Sequence, residues 1–166
     1  LVGVGSGTTA TSLQFKNDAF GTSDFEAVKD LTGSFAATSY LKGENRGYSI
    51  ANAKVKRDGV RQGEKESTAY SSQNEAYALV LNAEDWVKYL VDAPETDDYS
   101  LSLTVGKSSK GCVFEIIIDN QTIIKSEIPE DLEFGTQSYV NVNAGSFHAE
   151  KGVHSLKIRV FDGTLD

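Results

Sequence analysis

Several residue types are scarce in this chain of 166 residues. It has a single cysteine, Cys112, so no disulfide can close within it and sulfur says nothing about the compartment. Basic side chains are outnumbered by acidic ones, 16 to 24, for a net charge of −8. Phosphate backbones need clustered Lys and Arg, as do anionic membrane surfaces, so this balance argues against both partners. No apolar run approaches the roughly 20 residues of a membrane-spanning helix. The opening Leu1-Val2-Gly3-Val4-Gly5-Ser6-Gly7 lacks a basic segment and does not read as an intact signal peptide. Histidine is limited to His148 and His154. His154 falls on the inward face of a strand pattern, as a structural histidine would, and His148 in a loop near Glu150. No Gly-x-Ser-x-Gly, His-Glu-x-x-His or phosphate loop occurs. No window longer than about ten residues keeps a helical period; the best is a short one, residues 25–31.

Alternation is what the sequence has in quantity. Tyr99, Leu101, Leu103 and Val105 alternate with Ser100, Ser102 and Thr104. His154, Leu156, Ile158 and Val160 alternate with Ser155, Lys157 and Arg159. Val87, Tyr89 and Val91 share a face opposite Trp86, Lys88 and Leu90. Period two places each apolar set on one side of a sheet. Residues 112–119 are more uniformly apolar and read as a central strand covered on both faces. Asp119-Asn120 then offers a hairpin turn, because Asx residues tolerate left-handed geometry. Fifteen glycines against two prolines suit many turns between short strands. The expected fold is all-β: a two-sheet antiparallel β-sandwich of jelly-roll type over residues 13–166. Residues 1–12, rich in Gly, Ser and Thr, read as a linker or extended segment. Residues 61–75 are polar and read as a long exposed loop. Asn120-Gln121-Thr122 matches a glycosylation triplet.

Three blocks resemble a known family. The first is Arg57-Asp58-Gly59-Val60. The second is Asp85-Trp86-Val87-x-Tyr89-x-Val91, followed by Pro94 and Tyr99. The third is Gly152-Val153-His154-Ser155-Leu156-Lys157-Ile158. With Ile118-Asp119-Asn120 and Ile128-Pro129 they resemble, in order and spacing, carbohydrate-binding modules of families 6 and 35. The resemblance covers residues 55–166. It implies a non-catalytic, secreted or cell-surface module that binds an oligosaccharide or polysaccharide and is tethered to a polysaccharide-degrading enzyme in the same polypeptide.

The family's sugar cleft has an aromatic wall six residues before the core tryptophan, and here that count falls on Val80. Asn74-Glu75-Ala76-Tyr77 resembles the family's Asn-x-Gly-Tyr once three residues are inserted after it. The second wall falls near Phe134 and Tyr139, with Thr136 at the ungapped position. Sugar recognition needs flat rings against C–H faces, at about 25 cal/mol per Å² of apolar area covered. It also needs polar groups that match hydroxyls. Tyr48, Tyr70, Tyr77, Phe134 and Tyr139 lie nearest loops, and Asn74 and Asp166 are the polar candidates. The resemblance also implies a structural calcium between an N-terminal carboxylate strand and a C-terminal Asp. Residues 13–16 carry Lys16 where a carboxylate is needed; the other register offers Glu26 with Asp166. The rival from another class is a structural or adhesive sandwich without sugar binding, which Val80 favours. Cys112 reads as an inert core residue.

Overall fold

The computed structural model describes residues 2–6, 26–55, 64–71 and 76–166. Alternation builds the larger sheet. Trp86–Ala93 turns Val87, Tyr89, Val91 and Ala93 inward and leaves Trp86, Lys88 and Leu90 on the outer face. It pairs antiparallel with Gly152–Asp162, which pairs with Val113–Ile118, which pairs with the edge strand Thr122–Glu127. Leu156, Ile158 and Val160 therefore lie beside Phe114, Ile116 and Ile118 on one buried face. On the other flank of Trp86–Ala93, Tyr48–Ser49 adds antiparallel and Lys29–Asp30 adds parallel, so the sheet is mixed and not purely antiparallel.

The smaller sheet runs Tyr139–Ala149, Asp97–Gly106, Val2–Ser6, Ser34–Phe35. Its inner face carries Tyr99, Leu101, Leu103, Val105, Ala144, Phe147 and Ala149, all buried. These residues join those of the larger sheet in one apolar core. Phe35 of the smaller sheet meets Tyr89 of the larger at 5.0 Å between ring centroids. Each fully buried large apolar side chain contributes roughly 1.5–3 kcal/mol over its exposed state. The expected two-layer β-sandwich is the fold observed.

A bulge sets the phase of the longest edge strand. Leu101 pairs with Gly145 and Ser102 with Asn143, which leaves Ala144 as the extra residue. Gly145 has φ +134°, a conformation that favours glycine, and its N–H donates to the Asn143 side chain at 2.9 Å. The insertion shifts side-chain parity by one. Ala144 and, beyond the bulge, Phe147 and Ala149 all point inward as a result. At the tip of the neighbouring hairpin, Asp119 and Asn120 have φ of +52° and +57°, the left-handed pair expected of that turn.

Several expectations need correction. The helix expected over residues 25–31 is absent from 26–31. Lys29–Asp30 is a strand, and Asp30 Oδ1 accepts from both the amide and the hydroxyl of Thr32, closing a turn that a helix would not allow. Val2–Ser6, within the stretch read as a linker or extended segment, is an extended strand of the smaller sheet, opposite Tyr99 to Leu103. The polar stretch 61–75 contains two strands, Lys65–Glu66 and Thr68–Ser71, paired with Lys54–Val55 and Ala76–Leu79. The first of these buries Glu66. Val113–Ile118 is second from an edge, with Val113, Glu115 and Ile117 only half-buried, so it is not covered on both faces. His148 lies in a strand, not a loop, because the bulge places it opposite Asp98.

Candidate functional site

One end of the sandwich brings two of the predicted residues, Tyr139 and Asp166, into contact. Asp97–Gly106 runs out at Gly106, whose register partner is Tyr139, the first residue of the returning strand. A short 3-10 turn, Lys107–Ser109, follows. The chain's last strand, Thr164–Leu165, pairs with Leu81–Asn82 and delivers Asp166 to the same end. The Gly106 amide donates to the Asp166 carbonyl at 2.7 Å. Ser109 Oγ donates to that carbonyl at 3.0 Å and accepts from the Asp166 amide at 2.9 Å. The Asp166 side chain accepts from Ser108 Oγ at 2.7 Å and from Tyr139 Oη at 3.2 Å.

Gly106 is required by close approach. A Cβ there would stand 2.8 Å from Asp166 Oδ2 and 3.2 Å from the Tyr139 ring. Gly111, at φ +72°, does the same for Glu130, whose carboxylate oxygen would be 2.1 Å from an added Cβ. Burial, and then the adjacent Asp166 carboxylate, push the Tyr139 phenol up to about 12. Tyr139 therefore stays a protonated donor and is half-buried. Phe134 lies on the neighbouring loop, 7 % exposed, with Lys110 Nζ 5.8 Å from its ring centre. This end can offer a ring edge, a fixed carboxylate, the Ser108 hydroxyl and the Lys110 ammonium to a polar ligand, while the buried Ser109 hydroxyl is used up on the Asp166 backbone.

The other candidates lie elsewhere or outside the described residues. Tyr48 is buried at 2 % exposure, packs edge-on against Tyr40 at 5.3 Å, and accepts from the Lys65 amide at 3.3 Å. It supports the core and presents no ring face. Tyr77 is half-buried on Ala76–Leu79, register-paired with Tyr70. The Tyr70 side chain, Asn74 and residues 13–16 lie outside the described residues. So do Arg57, Asp58, Gly59 and Val60 of the first resembling block. Trp86 is half-buried on the outer face under Lys157 Nζ, 4.2 Å from its ring centre, and is not a core residue. Val80 donates its amide to Ser67 and is half-buried. His154 lies at the rim of the inner face, as its strand phase predicts.

Glu26 and Asp166 do not fit a shared calcium ion. Both Glu26 oxygens take the Arg46 guanidinium, at 3.0 and 2.9 Å, and Oε1 also takes the Lys42 amide. The Arg46 hydrogen bond leads in holding the Glu26 carboxyl down at about 2. Calcium takes six to eight oxygens, and a guanidinium in contact competes for the same carboxylate. Among the described residues, no group of three or more His, Cys, Asp or Glu is placed to hold a metal.

Ser108, Ser109 and Lys110 carry much of this end, and they have only a weak signal in the sequence. Their signal is the run Gly106-Lys107-Ser108-Ser109-Lys110-Gly111, a glycine-bounded polar break between two strand patterns.

No family model matches the chain, and no curated protein matches it either. Solved structures do. The C-terminal family 6 module of a laminarinase from Zobellia galactanivorans is 13 % identical with a TM-score of 0.49, over 71 % of this chain and 89 % of that one. A family 6 module from Cellvibrio mixtus lichenase 5A, in complex with cellotriose, is 14 % identical with a TM-score of 0.48, over 72 % and 87 %. The family 35 module of Cellvibrio japonicus Abf62 is 8 % identical with a TM-score of 0.47, over 72 % and 82 %. The likeness is one of strand arrangement alone.

Proposed function

We propose that this protein is a non-catalytic carbohydrate-binding module whose ligand lies across the sandwich end built from Gly106, Ser108, Tyr139 and Asp166. The observation that carries this reading is the bond between Tyr139 and Asp166 above Gly106. It fixes a flat ring and a carboxylate side by side, the pairing that a pyranose with an apolar face and hydroxyl edges requires. The three sequence blocks that resemble families 6 and 35 support the same class. In that role the domain is extracellular and tethers a polysaccharide-degrading enzyme in the same polypeptide, raising its effective concentration at the glycan. It has no catalysis of its own.

Affinity electrophoresis of the chain through plant, algal and host glycans tests this. Retardation by at least one glycan is expected, weakened in Tyr139→Phe and Asp166→Asn. No retardation by any of them would favour the rival, a structural sandwich. The burial of Tyr48 and Phe134, two of the rings nominated for the cleft, is the observation on that side. Release of soluble sugars by the chain alone would reject both.

A further inference from the structure

The outer face of the larger sheet carries a second feature, independent of the site above. Strand register places Ile123, Ile117, Lys157 and Lys88 side by side across four strands. The next row is Lys125, Glu115, Arg159 and Trp86. Arg159 is neutralised by Glu84 and Glu115. Lys88 and Lys157 meet no carboxylate among the described residues; Lys157 lies instead over the Trp86 ring. Like charges directly opposite across a ladder are destabilising, and here the pair persists in a chain of net charge −8. Further along the same strands stand Ile123 at 61 %, Val153 at 58 % and Phe161 at 48 % exposure, three of the five most exposed large apolar side chains among the described residues. The ammonium of Lys125 sits 4.3 Å from the Phe161 ring centre.

We propose that this face docks a polypeptide surface that carries carboxylates among aliphatic side chains. The two lysines supply the charge complement, and the exposed Ile, Val and Phe supply apolar area that a charged partner alone would leave wet. A neutral sugar does not suit the face, because Lys157 already covers Trp86. A polyanionic glycan would engage the lysines but leave the aliphatic positions unused. An isologous contact between two copies centred on the pair would bring lysine against lysine.

Trp86 is the single tryptophan, so its emission reports on this face directly. The intact chain is titrated with a synthetic peptide of alternating glutamate and leucine, with the same peptide carrying glutamine for glutamate, with polyglutamate and with dextran sulfate. The expected result is a saturable change with the Glu/Leu peptide that weakens with added salt. The glutamine peptide and polyglutamate should each bind about tenfold more weakly or worse. Lys88→Gln and Ile123→Ser, both solvent-facing, should each reduce affinity for the Glu/Leu peptide while leaving the melting temperature close to that of the parent. No response to the Glu/Leu peptide overturns the proposal. So does equal binding of polyglutamate or dextran sulfate with Ile123→Ser unaffected, which would mark a general anion site. Concentration-dependent self-association without a peptide response would also overturn it, in favour of a second copy. None of these outcomes bears on glycan retardation, which reads the opposite feature of the fold.

Discussion

His154 is held at both ring nitrogens, by Asp119 Oδ2 at 2.6 Å and by the Glu150 carbonyl at 2.6 Å. Both partners are acceptors, so the ring donates from both sides as an imidazolium. The Asp119 hydrogen bond leads in raising the His154 pKa above 6.5. At Asp119 burial pushes the other way, but the His154 and Ser155 hydrogen bonds outweigh it and the carboxyl lies below 3.8. Because the histidine is raised on folding, its contribution is fully present below about pH 6.5 and is lost as pH rises through its folded value. Because the aspartate is lowered, its contribution is present above its unfolded value and is lost as pH falls through the folded one. Thermal melts should show highest stability from this pair in mildly acidic solution and a decline as pH rises beyond about 6.5. His154→Gln should flatten that decline and cost roughly 1–3 kcal/mol at pH 6. An unchanged alkaline slope in the variant would remove the pair as its cause.

Gly106→Ala tests the close approach of Asp166. The new methyl would overlap the carboxylate and crowd the Tyr139 ring. Overpacking of this kind costs about 1–3 kcal/mol, and the displaced carboxylate should abolish glycan retardation. A variant that melts and binds like the parent would show that the arrangement around Asp166 is not needed.

The bulge at Ala144 makes a sharper demand. Inserting one alanine after Gly145, with no second bulge to absorb it, reverses the parity of every later residue in the strand, turning Phe147 away from Tyr99, on which it now stacks at 6.1 Å. The expected outcome is loss of cooperative unfolding by circular dichroism. Ala144→Gly keeps the count and should stay folded.

Cys112 should be chemically silent. Burial, reinforced by the Asp162 carboxylate, pushes its thiol up to about 12, and the side chain is fully buried. Iodoacetamide at pH 8 should label the native protein negligibly and the urea-unfolded protein quickly. Comparable native labelling would mean that the 106–112 segment opens readily.

Sequence and structure agree where side-chain period alone decides the outcome. Val87, Tyr89 and Val91 were legible as one face because alternation over a long strand has a single solution once one side is buried. Asp119-Asn120 was legible because few residue pairs accept positive φ. Short elements were not: Lys29–Asp30 and Lys65–Glu66 are two-residue strands whose pairing is set by distant neighbours. The parity change at Ala144 has no local signal beyond a glycine. At the candidate site, Tyr139 and Asp166 were nominated separately, but their contact across 27 residues follows from the register of Gly106 with Tyr139 and of Leu81 with Leu165. Tyr48 and Phe134 look like loop aromatics in the sequence and turn inward because Tyr40 and the loop end enclose them.

The seam that joins Thr164–Leu165 to Leu81–Asn82 closes a wide loop: Thr164 Oγ1 donates to Asn82 across 82 of the 166 residues, and Ser108 reaches Asp166 across 58. Closing so wide a loop carries an entropic cost before any contact offsets it. A molecule in which residues 164–166 are still unplaced therefore lacks the Asp166 carboxylate beside Tyr139. Any compound that recognises that end should discriminate finished molecules from partly folded ones, and should raise the melting temperature in proportion to the logarithm of its concentration.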